Sequence, residues 1–391
     1  MAKFDFNNSR YAKFFQSQAN VNYLQTILNR EDMLFVNYNW WLSQCNKDAM
    51  PVPTDRAGIA SFTQKCRKLQ AAHLMDLRAP LGKGLQEDAE GIDFYTATIP
   101  HFISTATVET APERMNRIKL FEELGNDADI IAEWLRGVQD KLDQADQTVN
   151  WMVAQLMTKG YINYQSIGRG IQAPLHKANI PAANFQKAGA KVWTATDAKI
   201  LTTMAEKEQA FRDATGYEGP LVWQMTRTFF QNVFCKNQEV MDIVKSWRYV
   251  NKIADLGTIP VSVSDWNKAY ADITTNMAPI ELVAEKERNL TDAGSSIVQG
   301  WDNKYVVLRQ AGKPCDLKWA VPMDQVAFAN GMLAPEITKV FARAKDGLCT
   351  VINTTSPNGE YSEWRTEVAM SATPALNNFM NHIIVDTSVA G

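Results

Sequence analysis

One stretch constrains this chain more than any other. Between Ile131 and Leu156 the apolar residues Ile131, Leu135, Val138, Leu142, Ala145, Val149, Met152 and Leu156 recur at alternating steps of four and three. That spacing keeps one stripe of a helix against a partner surface, and no strand could use it. Asn126 or Asp127 can accept hydrogen bonds from the first free amides, Asp127 and Asp129 suit the positive end of the helix dipole, and Lys159 followed by Gly160 suits its finish. The pattern predicts a helix over 126–159. Its seam is short for a free coiled coil and contains Gly137, so it reads as a core helix on which other parts of the chain pack. Ahead of it, Pro112 and Glu113 open a further helix that runs to Leu124 and closes at Gly125.

At 391 residues the chain exceeds the size at which single cores stop growing, so it divides into two or more subdomains. The formal charge of -3 comes from near-balanced acids and bases without long single-sign runs. Wrapping nucleic acid on its own surface is therefore not its main task. The five cysteines, Cys45, Cys66, Cys235, Cys315 and Cys349, are scattered and never form CxxC. They read as reduced thiols packed in cores, with no zinc site. The start MAKFDFNNSR lacks an apolar signal core, and no apolar run approaches the length that spans a bilayer. The expectation is a soluble protein that is not exported.

In chain order, residues 1–53 are aromatic in patches. Tyr23, Leu24, Ile27 and Leu28 share a helical face, and MLFVNYNWWL crowds Phe35, Tyr38, Trp40 and Trp41 together. A segment this aromatic needs a partner surface. Pro51 and Pro53 mark a boundary, a basic helical stretch runs to about Arg78, and the glycine-rich RAPLGKGLQEDAEG around Lys83 forms an exposed tip. The chain returns extended through IDFYTATIPHFISTATVE. Beyond the long helix, Thr196 can cap a helix from Asp197 to about Ala214, PLVWQMT is a buried strand, and a helix carries Phe229, Phe230, Val233, Val240 and Ile243. Over 217–334 the strands GTIPVSVS, KYVVLRQ and LKWAVPM alternate with a helix opened by Ser264 or Asp265, a mixed α/β module. The end reads as a hairpin, LCTVINTT and EYSEWRTEVAM about Ser356–Gly359, with NHIIVDTSVAG as a further strand.

No chemistry stands out along the chain. His73, His101, His176 and His382 sit in no GxSxG elbow, HExxH helix or Cys/His signature. Gly82-Lys83-Gly84 and Gly168-Arg169-Gly170 are two-glycine fragments without the length or context of a phosphate-binding loop. Paired acids such as Glu122-Glu123 and Glu87-Asp88 read as solvated charge. No catalytic, cofactor-binding or metal-binding residues are expected.

The order of parts is more informative than any motif, and it resembles a tailed-bacteriophage major capsid protein of the lambda-type capsid E family. The likeness is carried by ATIPHFISTATVETAPERMNR leading into the helices, the long helix ending AQLMTKGYINY, and WTATDAKILTTM. TGYEGPLVWQMT and the terminal EWRTEVAMSATPAL and HIIVDTS carry the rest. The resemblance implies an α+β tailed-phage capsid fold. Its parts would be an N-terminal arm over 1–53, an extended β loop over 54–110, a peripheral domain over 111–216 built on the spine helix, an axial domain over 217–334, and a return to the peripheral domain over 335–391. It implies that Phe35, Tyr38, Trp40, Trp41 and Lys83 lie between subunits, while Ile131, Leu135, Val138, Leu142, Val149, Met152 and Leu156 pack the spine. It further implies pentamers and hexamers in a closed shell around packaged DNA, with a portal and decoration proteins. A separate scaffolding protein is expected too, since the sequence enters its aromatic arm without a long charged leader. A nanocompartment shell of the same fold is the second reading and an unrelated cytosolic enzyme the third.

Overall fold

In a computed structural model, the chain is described at residues 14, 17–28, 40–55, 59–69, 91–105, 127–167, 175–251, 261–273, 277–283, 287–291, 294–323, 338–344, 348–355 and 364–391, with a few single positions between. Its described elements start with helices α1 (Gln18–Leu28) and α2 (Trp40–Gln44) and the short strand β1 (Cys45–Lys47). Strands β2 (Ala60–Arg67), β3 (Ile92–Ile99) and β4 (His101–Thr105) precede the long helix α3 (Asp127–Lys159), and β5 (Tyr161–Ile162), β6 (His176–Lys177) and β7 (Phe185–Lys187) follow it. Then come α4 (Ile200–Thr215), β8 (Leu221–Thr226), α5 (Arg227–Asn232), α6 (Gln238–Val250), α7 (Val263–Ile273) and β9 (Ile280–Val283). The remaining strands are β10 (Glu287–Thr291), β11 (Gly294–Val298), β12 (Tyr305–Gln310), β13 (Cys315–Trp319), β14 (Thr338–Ala344), β15 (Cys349–Thr355), β16 (Trp364–Leu376) and β17 (Ile383–Asp386). Among the described residues no helix is long and apolar enough to cross a membrane.

The spine α3 runs 33 residues and ends at Gly160, whose φ of 71° is the left-handed conformation that glycine adopts freely. A Cβ there would lie 3.0 Å from Ile180 Cδ1. Ile131 and Leu135 are half-buried, while Val138, Leu142, Val149, Met152 and Leu156 are buried. The single stripe describes only the first half of the helix. From Val149 to Thr158 every residue is buried, because α3 touches β16, β15 and β4 of one sheet and β12 and β17 of another. Three of its polar residues there are partnered: Asn150 accepts from the Trp41 N–H at 2.9 Å, Gln155 from the Asn163 N–H at 3.3 Å, and Thr158 donates to the Ala154 carbonyl at 2.7 Å.

The first sheet has the order β1-β13-β16-β15-β14, with β4 also on β16. β16 is its centre, and residues 368–376 of it are buried on both faces, where the strand packs against the spine. Pro374 survives inside it because of where its missing donor would point. Leu376, of the same parity, donates its N–H to the Tyr95 hydroxyl at 2.8 Å and not to a strand. The spine, this sheet, and Leu24, Leu28, Trp41 and Cys45 form one core.

The second sheet, β7-β17-β12-β8-β9, is mixed, and α4 to α7 supply a second core with it around Trp223, Phe230, Phe234 and Trp266. Its β9 edge is closed by Asn267 of α7, whose amide donates to the Ile280 carbonyl at 2.9 Å and accepts from the Ile280 N–H at 2.9 Å, as a neighbouring strand would. Buried Glu208 accepts from the Trp223 indole at 2.5 Å and the Ala278 N–H at 3.0 Å, and burial pushes its carboxyl up.

Several boundaries differ from the sequence reading. Of the basic stretch read as helical from Thr54 to about Arg78, Ala60–Arg67 forms β2, whose partner β3 begins at Ile92, a pairing invisible to a local window; positions 70–78 lie outside the described residues. The helix expected from Asp197 starts at Ile200, because Glu239 of α6 accepts from the Leu201 N–H and the Thr202 hydroxyl, both at 3.0 Å. Val263, read in a strand, opens α7, and Ser262 accepts from the Asp265 N–H at 3.0 Å. The helix carrying Phe229 to Ile243 breaks at Asn237, which caps α6. The cores also cross the expected domain limits: α4 and β7 pack with the second core, β13 with the first sheet, and β17 with the second. The expected helix from 112 to 124 and the Ser356–Gly359 turn lie outside the described residues.

Candidate assembly surfaces

The residues expected between subunits divide. Trp41 is 2% exposed and belongs to its own subunit's core, where its indole N–H donates to Asp146 Oδ1 at 3.0 Å. Trp40 is partly buried beside it, edge-on to Trp301 with ring centroids 6.4 Å apart. The placement of Trp41 between subunits is thus corrected, because its ring is packed from within its own subunit. Trp41's partners lie about one hundred residues away on the spine, and Trp40's neighbour Trp301 lies further along the chain still, which a local reading cannot supply. Phe35, Tyr38 and Lys83 lie outside the described residues. The described end of the expected arm is built in likewise. β1 pairs in parallel with β13, the Val52 N–H donates to the Trp319 carbonyl at 2.7 Å, and Lys318 binds Asp48 at 2.9 Å.

A buried polar knot joins this segment to the second sheet. Gln44 donates to Glu281 at 2.7 Å and accepts from Gln224 at 2.8 Å, while Arg309 forms an ion pair with Glu281 at 3.0 Å. Burial lowers the Arg309 pKa and Glu281 opposes that shift. Four elements, α2, β8, β9 and β12, meet there.

The β2–β3 ribbon has two unlike faces. Phe62, Cys66, Tyr95, Ala97 and Ile99 are buried on the inner face, where Tyr95 lies 5.2 Å from Phe379 and Phe62 5.9 Å from His176 between ring centroids. Asn381 ties the ribbon down, accepting from the Leu69 N–H at 3.2 Å and donating to the Arg67 carbonyl at 3.3 Å. On the outer face the register sets Lys65 opposite Phe94 and Arg67 opposite Ile92. Ile92 and Phe94 are 67% and 58% exposed, and Ile59 at the ribbon's foot is 51% exposed. An anchored ribbon with exposed apolar side chains among cations is shaped to receive another surface. The local signal that separates Ile92 and Phe94 from Tyr95 is the period-two alternation of the strand, which sets them on opposite faces. A second apolar pair, Tyr249 and Val250 at 86% and 76% exposure, ends α6.

The three described histidines are held by structural contacts, and His73 lies outside the described residues. His176 Nδ1 lies 3.0 Å from the buried Thr373 hydroxyl, and burial pushes its pKa down to about 4. His382 Nε2 donates to the Met157 carbonyl at 2.7 Å, and burial foremost holds its pKa at about 4. His101 meets Ser371 at 2.9 Å across β4 and β16, with Ser371 buried in the sheet. Among the described residues no group of three or more His, Cys, Asp or Glu is placed to hold a metal ion.

No protein-family model matches the chain, and no curated protein matches it. Among solved structures it is similar to a protein assigned as the capsid protein of a prophage of Escherichia coli CFT073, with 14% identity, a TM-score of 0.50, and coverage of 94% of this chain and 98% of that one. It is also similar to a phage-related protein of Bordetella bronchiseptica RB50, with 12% identity, a TM-score of 0.48, and 94% and 97% coverage. The capsid of cyanophage A-1(L) gives 8% identity, a TM-score of 0.46, and 91% and 94% coverage. On the first of these, the chain has the α+β fold of tailed-phage major capsid proteins.

Proposed function

We propose that this chain is the major capsid subunit of a tailed phage, assembling with copies of itself into a closed icosahedral shell around packaged DNA. The observation that carries the reading is the end-to-end correspondence with the Escherichia coli prophage capsid protein, over 94% of this chain and 98% of that one. Its function is then geometry: a curved subunit buries apolar area against neighbours in ring-closing, heterologous contacts. In this reading the spine core forms the peripheral domain and the second core the axial domain. The outer ribbon face, with Ile92 and Phe94, lies on a neighbouring subunit. At about 25 cal/mol per Å², several thousand Å² per subunit outweighs the cost of association. Pentamers and hexamers are the units, with a separate scaffolding protein, a portal and decoration proteins as partners, and the virion as destination after assembly in the host cytoplasm. No cofactor enters this function.

The test is electron microscopy and light scattering of the purified chain across pH, salt and scaffold conditions. Closed rings or shells are expected, and monomer under every condition would defeat the reading. Particles recovered from the native source should hold nuclease-protected DNA; a protein cargo in its place would favour a nanocompartment.

A further inference from the structure

Cys45 and Cys315 stand opposite one another in the register of β1 and β13, parallel neighbours at one end of the first sheet. Adjacent strands run about 4.8 Å apart, inside the Cα separation of about 4.4 to 6.8 Å that a disulfide spans. Both residues are buried in the core, at 1% and 0% exposure. The remaining cysteines lack such a counterpart: Cys66 faces Asp93 across its ribbon, Cys349 faces Met370, and Cys235 lies in a half-buried turn.

From this geometry we propose that Cys45 and Cys315 are a modification site, converted by a small-molecule disulfide into an intrachain disulfide that staples β1 to the sheet. The strand has three residues and lies at the sheet's edge, so its thiols are reached when β1 and its flanking Lys318–Asp48 and Val52–Trp319 contacts open locally, without unfolding of the second core. While β1 is closed, burial and the neighbouring Cys315 thiol hold the Cys45 pKa up, and exchange waits for opening. The Cys45 thiolate then attacks the reagent's S–S bond, forming a mixed disulfide and releasing one reagent thiol that carries the proton Cys45 gave up. As β1 re-pairs, the Cys315 thiolate attacks the Cys45 sulfur and expels the second reagent thiol with the other proton. Two electrons pass from the cysteines to the reagent, and the products are one protein disulfide and two small thiols. The bond fixes the segment carrying Trp41 and Gln44 and restricts the unfolded chain.

The full chain is incubated with bis(2-hydroxyethyl) disulfide and followed by intact mass and peptide mapping. The expected product yields one cross-linked peptide pair containing Cys45 and Cys315, two hydrogen atoms lighter than the reduced pair, with any hydroxyethylthio adduct confined to other cysteines, and it reverts with dithiothreitol. Its unfolding midpoint rises on oxidation; Cys45→Ser loses both the cross-link and the rise, and Cys66→Ser keeps both. Stable hydroxyethyl adducts on Cys45 or Cys315 would overturn the proposal. So would two thiols that remain fully alkylatable in denaturant after Cys235 has reacted to completion. The mapping is made on the unsubstituted chain, so a variant that fails to fold leaves the decision intact.

Discussion

Trp41 donates its indole N–H to the Asp146 carboxylate at 3.0 Å inside the core, which fastens the segment ahead of the first sheet to the spine helix. A hydrogen bond made away from water is costly to leave unmade. The same tryptophan uses its backbone N–H on Asn150, one helical turn further along. Removing the ring leaves a cavity and takes a donor from Asp146. Trp41→Ala should therefore lower the unfolding free energy of the monomer by about 3–5 kcal/mol, read by urea denaturation below the assembly concentration. Trp41→Phe keeps most of the volume and should cost about 1–3 kcal/mol. An alanine variant as stable as the parent would place the ring outside the core.

The same anchoring governs truncation. Deleting residues 1–53 removes Leu24, Leu28, Trp41, Gln44 and β1, all of which the core uses. The truncated chain should lose cooperative melting or melt far lower than full-length monomer. A truncated monomer with an unchanged transition would mean that these contacts contribute nothing to the subunit.

Stability should also fall on the acid side of neutrality. His176 and His382 have folded pKa values held near 4 by burial, against about 6.5 when unfolded. The unfolded chain therefore binds more protons across that window, so stability is full above about pH 6.5 and is lost as pH falls towards about 4. Each residue contributes on the order of 3 kcal/mol at the acid limit. Denaturation midpoints of the monomer from about pH 8 to about pH 4 read the slope, and His176→Gln should flatten it. A profile that is level in both proteins would refute the assignment.

What the sequence disclosed and what it hid follow from the range of the interactions. The spine is legible because α3 is specified within its own residues, by the four-and-three spacing and by Gly160 at its end. The burial of its second half on all sides is not, since Trp151, Val153 and Met157 are covered by strands more than one hundred residues later in the chain. The start of α4 is set by Glu239, and the end of β2 by its pairing with β3. Trp40 and Trp41 looked like a surface awaiting a neighbour because the surface they meet is distant in sequence and close in space. For the candidate surface, only the period-two pattern of β3 pointed to Ile92 and Phe94.

Asn267 tests whether a single side chain closes the second sheet. Its amide makes both hydrogen bonds that a strand would offer Ile280. Asn267→Ala leaves the Ile280 N–H and C=O without that partner, at a cost of about 1–3 kcal/mol, and opens an edge to strand addition. A lower melting midpoint and concentration-dependent aggregation are expected. A variant with unchanged melting and solubility would show that the edge needs no closure.

The outer ribbon face separates assembly from folding. Phe94 is 58% exposed opposite Lys65, while its neighbour Tyr95 is buried against Phe379. A charge at position 94 stays in water in the monomer, so Phe94→Glu should leave monomer stability within about 0.5 kcal/mol. In a shell the same carboxylate would be buried at an apolar contact, where an unpaired charge is strongly unfavourable. Assembly should fail while the melting curve stays in place. Tyr95→Glu should reverse the order of effects, because its inner-face pocket belongs to the subunit and the chain should lose stability before any contact between subunits is made. Electron microscopy of both variants beside their monomer melting curves decides the matter. Normal shells from Phe94→Glu would remove the outer ribbon face from the assembly surface.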